Sequence, residues 1–194
     1  GVDLKKFEYD PCIRGQIRSQ MGLSENIVLG HVGRFAYQKN HEYLIQIVEA
    51  AKAVNQSVRL LLVGEGPDES RIRTLVHEKG LDDIVIFYGT STAVNNLFQA
   101  MDIFLLPSHF EGLPIVGVEA QASGLPVLFS DQITREAKIT APVEFLKITQ
   151  DGIQEWVNKT CMYSNYNRHD TYSELKKKRF SIQDTVNDFL KLYQ

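Results

Sequence analysis

Cysteine is scarce in this chain: Cys12 and Cys161 are the only two among 194 residues, far apart and without metal-ligand spacing. That excludes a disulfide framework or thiolate cage as the organising device, and two inert thiols in a reducing compartment are expected. Long apolar runs are missing too. None approaches the roughly 18 residues of a spanning helix, and no charged start leads into an apolar stretch with a cleavage site, so a soluble, cytoplasmic chain is expected. Positive charge is not in excess, with 21 Lys and Arg against 24 Asp and Glu. The broad basic field of a nucleic-acid binder is thereby excluded. The one basic cluster, Lys176 to Arg179, reads as a solvated helix face rather than a lipid or nucleic-acid contact. No Asp-x-Asp motif, internal repeat or low-complexity segment occurs.

What is present is the composition of one ordinary globular domain, 43% hydrophobic and 23% charged. Short apolar bursts bounded by turn residues recur at Ile27 to Val32, Val58 to Val63, Ile84 to Phe87, Ile103 to Leu106, Pro126 to Phe129 and Val143 to Leu146. Several are apolar almost throughout, as strands are when helices cover both faces of a parallel sheet. Helical patterns lie between them, at Asn40 to Val54, Glu69 to Lys79, Val94 to Met101 and Ile115 to Ser123. This alternation predicts an α/β fold, a Rossmann-like doubly wound parallel sheet of about six strands, with its ligand crevice at the carboxyl ends of the strands.

Asp10-Pro11 reads as an N-cap with proline at the first helical position, opening a helix to about Met21, and residues 1–9 read as a linker. Residues 10–150 form the expected ligand-binding domain. After Gln150 the strands stop, and residues 151–194 are expected to be helical. One stripe there is Ile153, Trp156, Val157, Thr160 and Cys161, and another is Ile182, Val186, Phe189, Leu190 and Tyr193.

Two segments carry candidate chemistry. Gly33 to Asn40 follows the first strand and enters a helix N-terminus. Its glycine permits a close turn, and Arg34 and Lys39 can converge on a diphosphate beside free helix N–H groups. Read alone, the loop is equally compatible with two solvated cations. Glu111 to Glu119 is more specific: two glutamates seven residues apart span a loop-to-helix junction directly after the fourth strand, with Pro114 suited to the first turn. Glu111 then sits at the crevice mouth, Glu119 lies inside, and the N–H groups of Leu113 to Val116 face an anion. The apolar neighbours Val116, Val118, Ala120 and Ala122 favour a buried, partnered Glu119 over a solvated one.

These segments occur in order with Val63-Gly64-Glu65-Gly66-Pro67, Phe87-Tyr88-Gly89 and Gly124-Leu125-Pro126-Val127. Over nearly the whole chain, the set resembles the C-terminal, donor-binding domain of the retaining GT-B glycosyltransferases of family four, and by general similarity a bacterial capsular or exopolysaccharide branch. Gly1-Val2-Asp3 resembles the inter-domain linker of that family. The resemblance implies a metal-independent hexosyltransferase without a cofactor, whose substrate is a nucleotide-sugar, a UDP-sugar before others. Arg34, Lys39 and Glu111 would be its catalytic residues. The two cations would neutralise the diphosphate, and Glu111 would hydrogen-bond the transferred sugar. Glu119 would hold the ribose, and Gly33, Gly112, Leu113, Pro114, Ile115 and Val116 would approach the phosphates. The base would lie against Phe87 to Ser91 with Gly64 and Glu65 beside it. The acceptor, a carbohydrate or lipid-linked sugar, would be bound by an N-terminal domain that also carries the catalytic histidine. That domain would receive the tail helices, and the full-length enzyme would be active where the isolated half is silent, in the cytoplasm or peripherally at the inner face of a membrane.

A nucleophilic Glu111 is not assigned, because a front-face mechanism is preferred in that family, and His31, His41 and His109 are given no general-base role. The loop Asp131 to Glu136 departs from the family's small glycine-containing loop and is left out of the site. Two alternatives stay open: a non-catalytic nucleotide-binding module, and one half of a sugar-nucleotide epimerase. A dinucleotide oxidoreductase lacks its G-x-G-x-x-G, since Gly30-His31-Val32-Gly33 stands in that place.

Overall fold

The computed structural model describes residues 1–192. Six strands, β1 (Ile27–Val32), β2 (Val58–Val63), β3 (Val85–Gly89), β4 (Ile103–Leu106), β5 (Val127–Ser130) and β6 (Val143–Leu146), form one sheet in the order β3-β2-β1-β4-β5-β6. Every pairing is parallel. The order reverses between β1 and β4, whose ladder pairs only Leu29 with Ile103 and Gly30 with Phe104 and stops short of their carboxyl ends, the place where such sheets open a crevice.

The near-continuous apolar strands are explained by two cores. Leu61, Val63, Phe104 and Leu106 point into one, while Leu60, Leu62, Ile103 and Leu105 point into the other. Because successive side chains alternate across a sheet, burial on both faces leaves few polar positions in these strands, and the one in β2, Arg59, lies near its start where it is only partly buried. The first core is covered by α1 (Pro11–Gln20), α4 (Val94–Ala100) and α5 (Ile115–Ala122); the second by α2 (His41–Val54), α3 (Glu69–Glu78) and α6 (Ile153–Tyr163). Asp10 caps α1 as its sequence suggests, accepting from the N–H groups of Cys12 and Ile13. Among the described residues no helix is long and apolar enough to cross a membrane.

Several boundaries differ from the sequence reading. β3 begins at Val85 and runs on to Gly89, because the register with β2 shifts after Leu62 and brings Val63 opposite Gly89. β5 begins at Val127, and Pro126, which has no N–H, contributes only its carbonyl, to the N–H of Phe104. On α6 the buried face is Trp156, Val157, Thr160 and Tyr163, and Cys161 is exposed.

The segment 1–9, read as linker, is packed onto the domain: Val2, Leu4 and Phe7 are buried, and Val2 bridges to Ser181. The tail holds α6, α7 (Tyr172–Lys177) and α8 (Ile182–Leu192). The apolar face of α8, with Ile182, Val186, Phe189 and Leu190, is exposed. Tyr193, assigned to the same stripe, lies outside the described residues.

Candidate functional site

The crevice is built from the segments that leave β1 and β4. Gly33 donates its N–H to Val63 O at 2.9 Å, and Phe35 donates to Glu65 O at 3.0 Å, so the first segment is tied to the loop after β2. It then makes a short 3-10 turn, Tyr37–Lys39, and reaches Asn40 in the left-handed region at φ 54°. Three hydrogen bonds lace this turn to the segment after β4: His109 N–H to Gln38 O at 2.9 Å, Gln38 Nε2 to Phe110 O at 3.0 Å and Asn40 Nδ2 to Pro107 O at 3.1 Å. The lacing sets Lys39 against Glu111 across the switch point, Nζ to Oε1 at 2.5 Å, with both side chains largely shielded from solvent. Ser108 Oγ donates to the same oxygen at 3.0 Å.

Helix α5 opens beside this pair. Pro114 precedes it with no side-chain cap, and the first backbone bonds back to Pro114 come from Gly117 and Val118. The N–H groups of Ile115 and Val116 are left without an intrahelical acceptor at the positive end of the helix dipole. Ile115, Leu113 and Gly112 are exposed there, while Pro114 is buried. One turn in, Glu119 is half-buried, and the partner expected for it is missing: its carboxylate has no hydrogen bond among the described residues. Burial pushes its pKa above the ordinary carboxylate value, an effect Lys6 partly offsets.

The residues expected to bind one ligand line two depressions rather than one. Gly33, Lys39, Val116 and Glu119 border a cavity of about 370 Å³ together with Lys6 and Asn95. Arg34, Gly64 and Glu65 border a wider hollow of about 800 Å³ with Gly66 and Pro67. Arg34 is exposed and has no ion pair among the described residues. The convergence of Arg34 with Lys39 is thus only partial here, because Lys39 is engaged by Glu111 while Arg34 points to the loop after β2.

Phe87 stacks on Phe35 at 6.0 Å and carries the Arg73 guanidinium 4.0 Å above its ring; the neighbouring Tyr88 is the exposed aromatic at that edge. Ser91 Oγ accepts from the Ala93 N–H, so it is occupied in its own turn.

The histidines are arranged for packing. His31 is fully buried, its Nδ1 2.9 Å from Leu105 O and its Nε2 unpartnered; burial, then the neighbouring His41, holds its pKa well below 6.5. His41 stacks on Phe35, and among the described residues neither ring nitrogen has a partner. Burial, then Lys39 and Arg71, lowers its pKa to about 4. His109 stacks on Tyr37 at 4.3 Å.

Three residues of the site were not anticipated. Ser108 carries a weak signal, a hydroxyl three residues before Glu111. Lys6 and Asn95 carry none, because segment 1–9 and the start of α4 reach the crevice only through tertiary packing. The loop 131–136, set aside on sequence, meets the site from behind: Ile133 forms an isolated parallel bridge with Glu111. Among the described residues no three His, Cys, Asp or Glu side chains are grouped where they could hold a metal ion.

Comparison with known proteins places these features in context. The family model described as "Glycosyl transferases group 1" matches residues 14–148. The EpsF protein of Bacillus subtilis (strain 168) is 36% identical over 137 residues, 70% of this chain and 36% of that protein. The Escherichia coli UDP-Gal:alpha-D-GlcNAc-diphosphoundecaprenol alpha-1,3-galactosyltransferase is 33% identical over 167 residues, 81% of this chain and 42% of that protein. The chain therefore spans well under half the length of these curated relatives. Its fold is similar to the C-terminal domain of a group 1 family protein (LpcC) from Francisella tularensis, with TM-score 0.76 and 20% identity over 94% of this chain and all of that one. It is also similar to Anabaena Alr3699/HepE in complex with UDP and glucose, with TM-score 0.71 and 20% identity over 96% of this chain and 55% of that one.

Proposed function

The chain belongs to the group 1 glycosyl transferases, and from that premise we propose that it is the donor half of a retaining transferase, holding a nucleoside-diphosphate-sugar for transfer to a carbohydrate or lipid-linked acceptor. The observation that carries this reading is the meeting of Lys39 and Glu111 at 2.5 Å across the switch point, beside the open N-terminus of α5. A cation, a carboxylate and unpaired helix N–H groups at one crevice suit a diphosphate joined to a polyhydroxylated ring.

In this reading the diphosphate lies between Gly33, Lys39 and the N–H groups of Gly112, Leu113, Ile115 and Val116. Lys39 and Arg34 offset the charge that grows on the leaving phosphate, the part a metal ion plays elsewhere, and this gain is largest in the transition state. Arg34 reaches the phosphate by swinging from the hollow it shares with Gly64 and Glu65. Glu111 receives sugar hydroxyls; Glu119, whose carboxylate has no hydrogen bond among the described residues, receives the ribose hydroxyls; and the base rests along Phe87 to Ser91.

UDP is the nucleotide proposed first, in keeping with the galactosyltransferase relative named for UDP-Gal. Residues 10–150 would bind the donor, residues 1–9 would lead in from an acceptor domain in the remaining length of such enzymes, and residues 151–194 would turn α8 toward it. Capsular or exopolysaccharide synthesis in the cytoplasm, at the membrane face, is the setting proposed.

Calorimetric titration of this chain with UDP, GDP, UDP-sugars and NAD, with and without magnesium, tests the reading. Metal-independent binding of one nucleoside diphosphate, weakened by both Arg34→Ala and Glu119→Ala, is expected. Binding of NAD alone, or of no nucleotide, would overturn it.

A further inference from the structure

Lys39 and Ser108 hold the same carboxylate oxygen of Glu111, at 2.5 and 3.0 Å, and the other oxygen has no partner among the described residues. The two holders differ in freedom. Lys39 is a point charge on a four-carbon stem. Ser108 is fully buried, and its carbonyl accepts from Ser130 Oγ at 2.6 Å; Ser130, also fully buried, ends β5. Ile133 then bridges to Glu111 from the segment that follows β5. One side of Glu111 is therefore anchored to the sheet, and the other is held by a cation that can leave.

A diphosphate carries more negative charge than one carboxylate and, in the donor-site reading on which this inference rests, arrives within reach of the same ammonium. Lys39 cannot neutralise both at full strength. When it turns to the phosphates, Glu111 loses its charge partner, and the Ser108 hydroxyl is the contact that remains. We propose that Ser108 is a positioning residue that keeps the Glu111 carboxylate aimed at the transferred sugar while Lys39 exchanges Glu111 for the donor diphosphate.

The proposal separates what each side chain does for a bare nucleotide from what it does for a sugar-nucleotide. This chain would be titrated with UDP and GDP, and with UDP-glucose, UDP-galactose, UDP-N-acetylglucosamine and GDP-mannose. Ser108→Ala is expected to leave bare-nucleotide affinity within about twofold and to weaken the matching sugar-nucleotide about tenfold, the loss of one hydrogen bond to a charged group. Glu111→Gln should change that ratio in the same direction, the double substitution should add little, and Ser108→Thr should restore it. Exchange of Lys39 predicts further that Glu111→Gln tightens bare-nucleotide binding in the parent chain and not in a Lys39→Ala background.

If Ser108→Ala melts early, Ser108→Cys keeps the volume with a weaker hydrogen bond and serves in its place. Equal weakening of both ligand classes, or no change in either at an unaltered melting temperature, would overturn the role of Ser108 and leave the donor site standing. So would insensitivity of the ratio to Glu111→Gln. Failure of every nucleotide to bind the parent chain would instead remove the donor-site reading, and this proposal with it.

Discussion

His41 sits between the stacked ring of Phe35 and the edge of His31, with no hydrogen bond to either ring nitrogen among the described residues. Its pKa in the folded chain is lowered to about 4, by burial first and then by the cations Lys39 and Arg71. The sign of the consequence follows from linkage. Above pH 6.5 the ring is neutral in both states and imposes no penalty; below it the unfolded chain takes up a proton that the folded chain refuses, until the folded pKa is reached. Stability should therefore fall as the pH drops from 6.5 to about 4, by on the order of 3 kcal/mol from this residue, with His31 adding in the same direction. Urea denaturation across that range should show His41→Phe, which keeps a ring against Phe35, with a flatter slope. An unchanged slope would place the proton uptake elsewhere. That these histidines are structural was legible only weakly: their positions, one inside β1 and one at the start of α2, exclude neither packing nor chemistry until the rings are seen buried.

At the scale of elements, the crevice depends on how closely the loops after β1 and β2 approach. Gly64 has φ +138°, and a Cβ there would meet the Gly33 carbonyl oxygen at 2.1 Å. Backbone cannot yield as a flexible side chain can. Gly64→Ala is expected to cost about 2 kcal/mol or more from strain and displacement together, and to loosen the turn that carries Arg34. Equilibrium denaturation would record the first effect, and weaker diphosphate binding in a calorimeter the second. Retained stability and binding would mean that the loops separate without loss. The elements themselves were largely legible, because double burial writes itself as unbroken apolar strands such as Ile103 to Leu106. Where strand ends were misplaced, the determinant at β3 was a register shift, a fact about the neighbouring strand rather than the local pattern, whereas at β5 it was the missing N–H of Pro126, which the sequence itself carries.

For the whole molecule, the crevice is bounded by one domain and open on its other side, and the apolar face of α8 is exposed: Phe189 and Leu190 are each 58% accessible. Surface substitution there should change stability by no more than about 0.5 kcal/mol. Phe189→Ser is accordingly expected to leave the melting temperature of this chain nearly unchanged while reducing any self-association seen by sedimentation. A large fall in melting temperature would mean that α8 is packed more tightly than this face indicates. In the donor-half reading an acceptor domain would supply half the wall that excludes water, so sugar transfer by this chain alone is expected to be undetectable; release of nucleotide in the presence of donor and acceptor would check it.

Apolar period and turn chemistry were enough to determine an α/β sheet with its crevice at the carboxyl ends of the strands, because alternation, burial and crossover handedness are local or nearly local constraints; that β1 and β4 flank it was decided by the strand order. The order of Gly33, Lys39, Glu111 and Glu119 marked the segments that border that crevice, since each directly follows a strand. Partnership was decided by tertiary structure alone. That Lys39 closes on Glu111 and that Lys6 comes from segment 1–9 to line the cavity with Glu119 depend on residues many positions apart being brought together, and the same packing leaves Glu119 without a hydrogen bond among the described residues and lets the nearby Ser108 share the Glu111 oxygen. No periodicity encodes such distances; they are set by how the two cores pack against the sheet.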